Sequence, residues 1–103
     1  MGYEIKKTDS AERDLDEILT YIIGELDNLD AAQKLADEID ERYGTLEENP
    51  YLYPECIDPR LKLLGYRKVV VEGYLLIYRI DKDKGVVYVE SFFSQLQDYA
   101  AKI

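Results

Sequence analysis

A chain of 103 residues, 47% apolar and 34% charged, is long enough for one domain with a modest core and too apolar to remain disordered. Its formal charge of −9, lack of histidine and single cysteine exclude a Ser-His-Asp site, imidazole acid–base catalysis and an internal disulfide framework; no metal or cofactor is expected. No apolar run nears the roughly 20 residues of a membrane helix, and "MGYEIKKTDS" lacks both a signal-peptide core and the Ser/Thr at position 6 of a myristoylation pattern, so a cytoplasmic protein without membrane contact is expected.

In chain order, "YEIKKT" alternates weakly and predicts a short first strand. In "DSAERDLDEILTYIIGEL", Ala11, Leu15, Ile18, Leu19, Ile22, Ile23 and Leu26 recur at spacings of three and four, the pattern of an amphipathic helix. Asp9 with Glu12 reads as its capping box, with Thr8 and Ser10 as alternative caps. Asp30 with Gln33 opens a second helix whose buried stripe is Leu35, Ala36, Ile39, Tyr43 and Leu46. So short a connection predicts an antiparallel helical hairpin.

"ENPYLYPECIDPR" holds all three prolines and predicts an ordered loop pinned by Tyr51, Leu52 and Tyr53. Three β-rich runs follow, "GYRKVVV", "YLLIYRI" and "VVYVESFF", joined by "EG" and "DKDKG", which force an antiparallel meander. "SQLQDYAAKI" suits a final helical turn or two. The order β-α-α-β-β-β describes a single α+β domain over residues 1–103, with the helical hairpin on one face of an antiparallel sheet.

Charge is unevenly spread. Residues 9–48 hold 14 Asp/Glu against 3 Lys/Arg, a balance of −11, whereas residues 60–84 hold 7 Lys/Arg against 3 Asp/Glu, a balance of +4. The global sign opposes direct DNA binding. In the middle strand Tyr74, Leu76, Tyr78 and Ile80 point one way and Leu75, Ile77 and Arg79 the other. With the first set under the helices, nothing else in the chain is expected to cover the second set, and a bare apolar and basic face predicts a partner surface.

These pieces resemble a known family. In order, they are Thr8, Ala11, Asp14, Leu15, Glu17, Ile18, Tyr21 and Ile22 of the first helix, then "NPYLYP", "GYRK" (Gly65–Lys68), "GYLLIYRID" (Gly73–Asp81) and "QDY" (Gln97–Tyr99). Over essentially the full length they are similar to the RelE/ParE superfamily of type II toxin–antitoxin toxins, most of all its ParE-like branch. The resemblance implies a growth-inhibiting toxin neutralised by a cognate antitoxin whose segment wraps it. ParE-like members are associated with poisoning DNA gyrase, and RelE-like members cut mRNA on the ribosome.

RNA cleavage through the 2′-hydroxyl needs a base, cations for the phosphorane charge and an acid for the leaving oxygen. Lys68 and Tyr99, which by resemblance fall near a catalytic lysine and a C-terminal tyrosine of ribonuclease members, are with Arg79 the candidates for those roles. Two departures weigh against it. Leu75 stands where ribonuclease members carry Arg, and "FFSQLQ" replaces an Arg-rich segment. Strict alternation also lets only one of Arg67 and Lys68 share a face with Arg79. The favoured reading is therefore a toxin that binds a protein target, gyrase by implication, with Leu75, Ile77, Arg79 and Arg67 receiving the antitoxin. A ribosome-dependent endoribonuclease and an inactive relic that only binds antitoxin are the alternatives.

Each signal has a plainer explanation. Arg67 and Lys68 suit a solvated sheet rim. Tyr21, Tyr43, Tyr74 and Tyr78 sit at periodic core positions and suit packing with a polar tip. The Asp37, Glu38, Asp40 and Glu41 cluster suits a solvated helix face, and Cys56 has no neighbour that marks a reactive thiolate.

Overall fold

The computed structural model describes residues 2–94. Elements follow in the order β1 (Glu4–Lys7), α1 (Asp9–Gly24), α2 (Leu29–Glu48), α3 (Pro59–Leu63), β2 (Tyr66–Val71), β3 (Tyr74–Asp81) and β4 (Val86–Ser94). They form an α+β domain with sheet order β1-β4-β3-β2. The meander β2-β3-β4 is antiparallel as expected. β1 joins β4 in parallel, which makes the four-stranded sheet mixed. Bonds from Glu4 N–H to Gly85 O (2.9 Å) and from Thr8 N–H to Val89 O (3.0 Å) bracket that pairing.

The first helix begins where β1 leaves the sheet. Thr8, one of the three candidate caps, takes the role: its Oγ1 accepts from Ala11 N–H at 3.0 Å and donates to the Glu90 carbonyl at 3.0 Å. One hydroxyl thus starts α1 and ties it to β4. The second helix starts at Leu29, just before the expected Asp30, because the Asn28 side chain accepts from Ala31 N–H. At the β2–β3 turn Glu72 (φ 49°) and Gly73 (φ 82°) are both left-handed, the geometry that matches strand twist in a two-residue hairpin.

One face of the sheet lies under the helical hairpin. Leu35, Ile39 and Leu46 of α2 meet Leu76 and Tyr78 of β3 and Val87 and Val89 of β4, all buried. The Tyr78 hydroxyl reaches out of this layer and donates to the Pro50 carbonyl at 2.7 Å, which anchors the proline-rich segment. Tyr51 and Leu52, expected as its pins, are largely exposed, whereas Tyr53 packs against the core.

The opposite face is not bare, which corrects the sequence reading. Leu75 is 5% exposed and Ile77 0%, because Cys56 and Leu61 pack on them, joined by Tyr66 and Phe93. The cover runs through the segment read as a loop. Cys56 N–H donates to Tyr66 O (3.0 Å) and Lys68 N–H to Pro54 O (3.2 Å), so residues 54–56 lie along the outer edge of β2, with Glu55 bridging Arg67. Asp58 then caps α3, accepting from Arg60 and Leu61 N–H, with Pro59 at the first helical turn where its missing donor costs nothing. This strap, residues 54–64, closes the sheet from below.

Candidate functional site

The candidate residues fall on two faces. Register pairs Lys68 with Ile77 and Tyr66 with Arg79, so Lys68 and Arg79 share the strap face with Leu75 and Ile77. Arg67 pairs with Tyr78 and turns to the helix face. There its Nη1 donates to the Tyr53 carbonyl at 2.7 Å and its guanidinium lies 5.2 Å from the centre of the Tyr51 ring. Arg67 therefore braces the proline-rich segment and does not meet the other three proposed contacts. Tyr99 lies outside the described residues, as does the helical turn expected after Ser94.

Arg79 is bound by its own chain. It stands between Tyr66 and Tyr88 in the sheet, 4.3 Å above the Tyr88 ring centre. Its Nε donates to Glu90 Oε2 at 2.8 Å. A β-bulge makes that contact possible. Tyr78 pairs with Val89 and Ile77 with Ser91, leaving Glu90 as the extra residue of β4. The bulge turns Glu90 and Ser91 to the same face, and places the carboxylate beside Arg79 while its carbonyl holds Thr8. Glu90 was not singled out from the sequence, since alternation gives no sign of where a strand gains a residue.

Cys56 is buried beneath this face, and burial pushes its thiol up while the charge of Lys68 pulls the other way. A protonated thiol in a dry contact is inert. Outside it, the strap exposes aliphatic side chains: Leu63 is 88% and Ile57 80% exposed, with Leu64 beside them in sequence and Arg60 and Lys62 interleaved. What the flank presents to solvent is thus the strap's outer side, with Leu75 and Ile77 as its floor. The sequence held one clue: Pro59 after Asp58 is a helix-start signature.

Among the described residues no group of three or more His, Cys, Asp or Glu is placed to hold a metal, and no helix is long and apolar enough to cross a membrane.

Comparison with known proteins agrees with this geometry. A family model described as the ParE toxin of type II toxin–antitoxin systems matches residues 5–99. No curated protein matches the sequence. Among solved structures, the chromosomal ParDE system of Pseudomonas aeruginosa contains a chain 19% identical with TM-score 0.69, covering 89% of this chain and 95% of that one. The RelBE2 toxin–antitoxin complex of Mycobacterium tuberculosis gives 20% identity and TM-score 0.64, covering 91% and 99%. A free-state arginine-to-alanine mutant of Escherichia coli RelE gives 15% identity and TM-score 0.64, covering 99% and 93%. At such identities the structural likeness shows the shared fold, and the sequence match gives the family: this chain belongs to the ParE toxins of type II toxin–antitoxin systems.

Proposed function

We propose that this toxin arrests growth by occupying a protein target, DNA gyrase as the ParE-like branch implies, and that a cognate antitoxin neutralises it through an acidic segment. The observation that carries the first half is the 2.8 Å bond between Arg79 and Glu90. A guanidinium beside a carboxylate presents no net positive charge to a phosphorane, and the Glu90 carboxylate repels a phosphate brought to it. Arg60, Lys62 and Lys68, part of the local excess of +4 over residues 60–84 in a chain of −9, lie on or beside this flank and favour an acidic partner segment there. Of the four proposed antitoxin contacts, Arg79 remains on this surface, Leu75 and Ile77 support it from beneath, and Arg67 contributes by bracing the strap's entry. The antitoxin meets the strap's outer aliphatics, Ile57, Leu63 and Leu64, with Arg60 and Lys62 among them.

Induced expression tests the reading. Growth arrest with DNA-damage signalling and intact mRNA is the expected result, unchanged by Lys68→Ala. Cleaved mRNA that disappears in Lys68→Ala and Arg79→Ala would establish the ribonuclease. Normal growth at full expression would leave an inactive antitoxin binder.

A further inference from the structure

The helical hairpin turns at a corner, "IGELDNLD" (Ile23–Asp30), that its own chain leaves unmatched. Three large aliphatic side chains stand in solvent there: Ile23 is 45%, Leu26 54% and Leu29 67% exposed. α1 closes among them, with Glu25 as its C-cap, whose N–H donates to the Tyr21 carbonyl at 2.8 Å. The carbonyl end of a helix carries partial negative charge and favours a cation. This one has no basic residue in its last turn, and Glu25 and Asp27 follow instead. Asp27 does so at φ 48°, a left-handed position where glycine is the usual residue. Asp30 is differently placed, in the first turn of α2, where a carboxylate is favourable. Among the described residues neither Glu25 nor Asp27 has an ionic partner.

The strap has a similar surface with the opposite charge. Ile57, Leu63 and Leu64 are exposed, with Arg60 and Lys62 among them. The strap's nearby acid, Asp58, is taken up in capping α3, where it accepts from Arg60 and Leu61 N–H. Residues 59–66 hold no carboxylate. Both patches are small clusters of exposed aliphatics rimmed by charge, and each carries the charge that the other lacks.

We infer that the hairpin corner of one copy docks on the strap of the next. Ile23, Leu26 and Leu29 lie against Ile57, Leu63 and Leu64 of the second copy, and its Arg60 and Lys62 meet Glu25, Asp27 and the carbonyl end of α1. Charge opposes the pairing of like with like, since two corners bring carboxylates together and two straps bring cations together. The hairpin lies on one face of the sheet and the strap on the other. The contact therefore runs head to tail, leaves a free patch at each end, and lets copies add one after another. Six aliphatic side chains make an interface below the standard size, so the expected Kd is on the order of 10–100 µM. The inference does not rest on the toxin's target. An antitoxin on the strap, as proposed above, would take the seat of the second copy.

Sedimentation velocity on the full chain, at concentrations from about tenfold below to tenfold above that constant, tests it. The parent is expected to grow from monomer through dimer to larger species. Ile23→Lys/Leu26→Lys removes the corner's aliphatics and puts cations where the end of α1 favours them, and is expected to stay monomeric. Ile57→Gln/Leu63→Gln, at positions 80% and 88% exposed, is expected to weaken association about tenfold or more. Mixed in equal amounts, the two variants should form a dimer and go no further, because each keeps the one patch that the other has lost. Leu52→Gln, at an exposed leucine outside both patches, should associate as the parent does. Circular dichroism confirms that each variant is folded. A parent that stays monomeric throughout overturns the inference, as does a mixture that gives no dimer. So does undiminished association in either double variant, since a patch then pairs with its own kind. Loss of association in Leu52→Gln marks general adhesion of apolar surface and also overturns it.

Discussion

The two faces of this sheet are closed by different kinds of chain. Above it, two long helices lay a periodic stripe on Leu76, Tyr78, Val87 and Val89. Below it, a strap with one short helix covers Leu75 and Ile77 with little more than Cys56 and Leu61. The upper cover is thick and cooperative. The lower one is thin, joined to the β2 edge by two backbone hydrogen bonds, and carries exposed aliphatics outside. A thin cover that is apolar on both sides is suited to recognition in a way that a helical layer buried on one side is not.

The largest effect should separate the two covers. Leu35→Ala empties a fully packed site under the helices and is expected to cost about 3 kcal/mol in urea unfolding. Leu61→Ala should cost less, about 2 kcal/mol, but make Cys56 react with a thiol reagent under native conditions, whereas Leu35→Ala leaves it slow. Equal Cys56 protection in both variants would show that the strap is no weaker than the helical layer.

Tyr78→Phe removes the hydroxyl that ties the upper core to Pro50 and strands a buried carbonyl, at an expected cost of about 1–2 kcal/mol. Thr8→Ala removes both the cap of α1 and the donor to Glu90, an expected loss of about 1 kcal/mol, recovered mostly by Ser. Glu90→Gln should cost under about 1 kcal/mol, because the pair with Arg79 is partly exposed and a surface ion pair contributes little to stability.

Asp14 gives a pH signature on the helix side. Its carboxyl is raised in the folded chain, chiefly by burial, so folding favours the protonated form. That preference is fully present below the unfolded value near 3.8 and is lost as pH rises through the folded value. Asp14→Asn, which keeps an acceptor for Phe92 N–H, should therefore be more stable than the parent at neutral pH. The difference should close under acid, as parallel melts at pH 7 and pH 3 will show.

Much of the helix-side fold can be read from the residues. The spacing of Leu35, Ile39 and Leu46 locates the buried stripe of α2, and alternation in β3 separates Leu76 and Tyr78 from Leu75 and Ile77. The ParE kinship is likewise legible in ordered short motifs. Three features were not. The parallel seat of β1 depends on long-range pairing that a four-residue strand does not announce. The strap has no period, and its prolines hide a cover behind the signals of a loop. The bulge at Glu90 shifts the register by one residue, so the partner of Arg79 emerges only once β3 and β4 are paired. A fourth reading, Tyr21 in the core, fails for a simpler reason, since the residue is 52% exposed: helical spacing gives the side of a helix, and the rim of a buried stripe carries the same spacing as its centre.

Gyrase supercoiling with the purified toxin, run beside mRNA cleavage on purified ribosomes, tests the central claim most directly. Loss of supercoiling by the parent chain and by Lys68→Ala, with mRNA left whole, is the predicted result. Unimpeded supercoiling together with cut mRNA that Arg79→Ala abolishes would contradict the account.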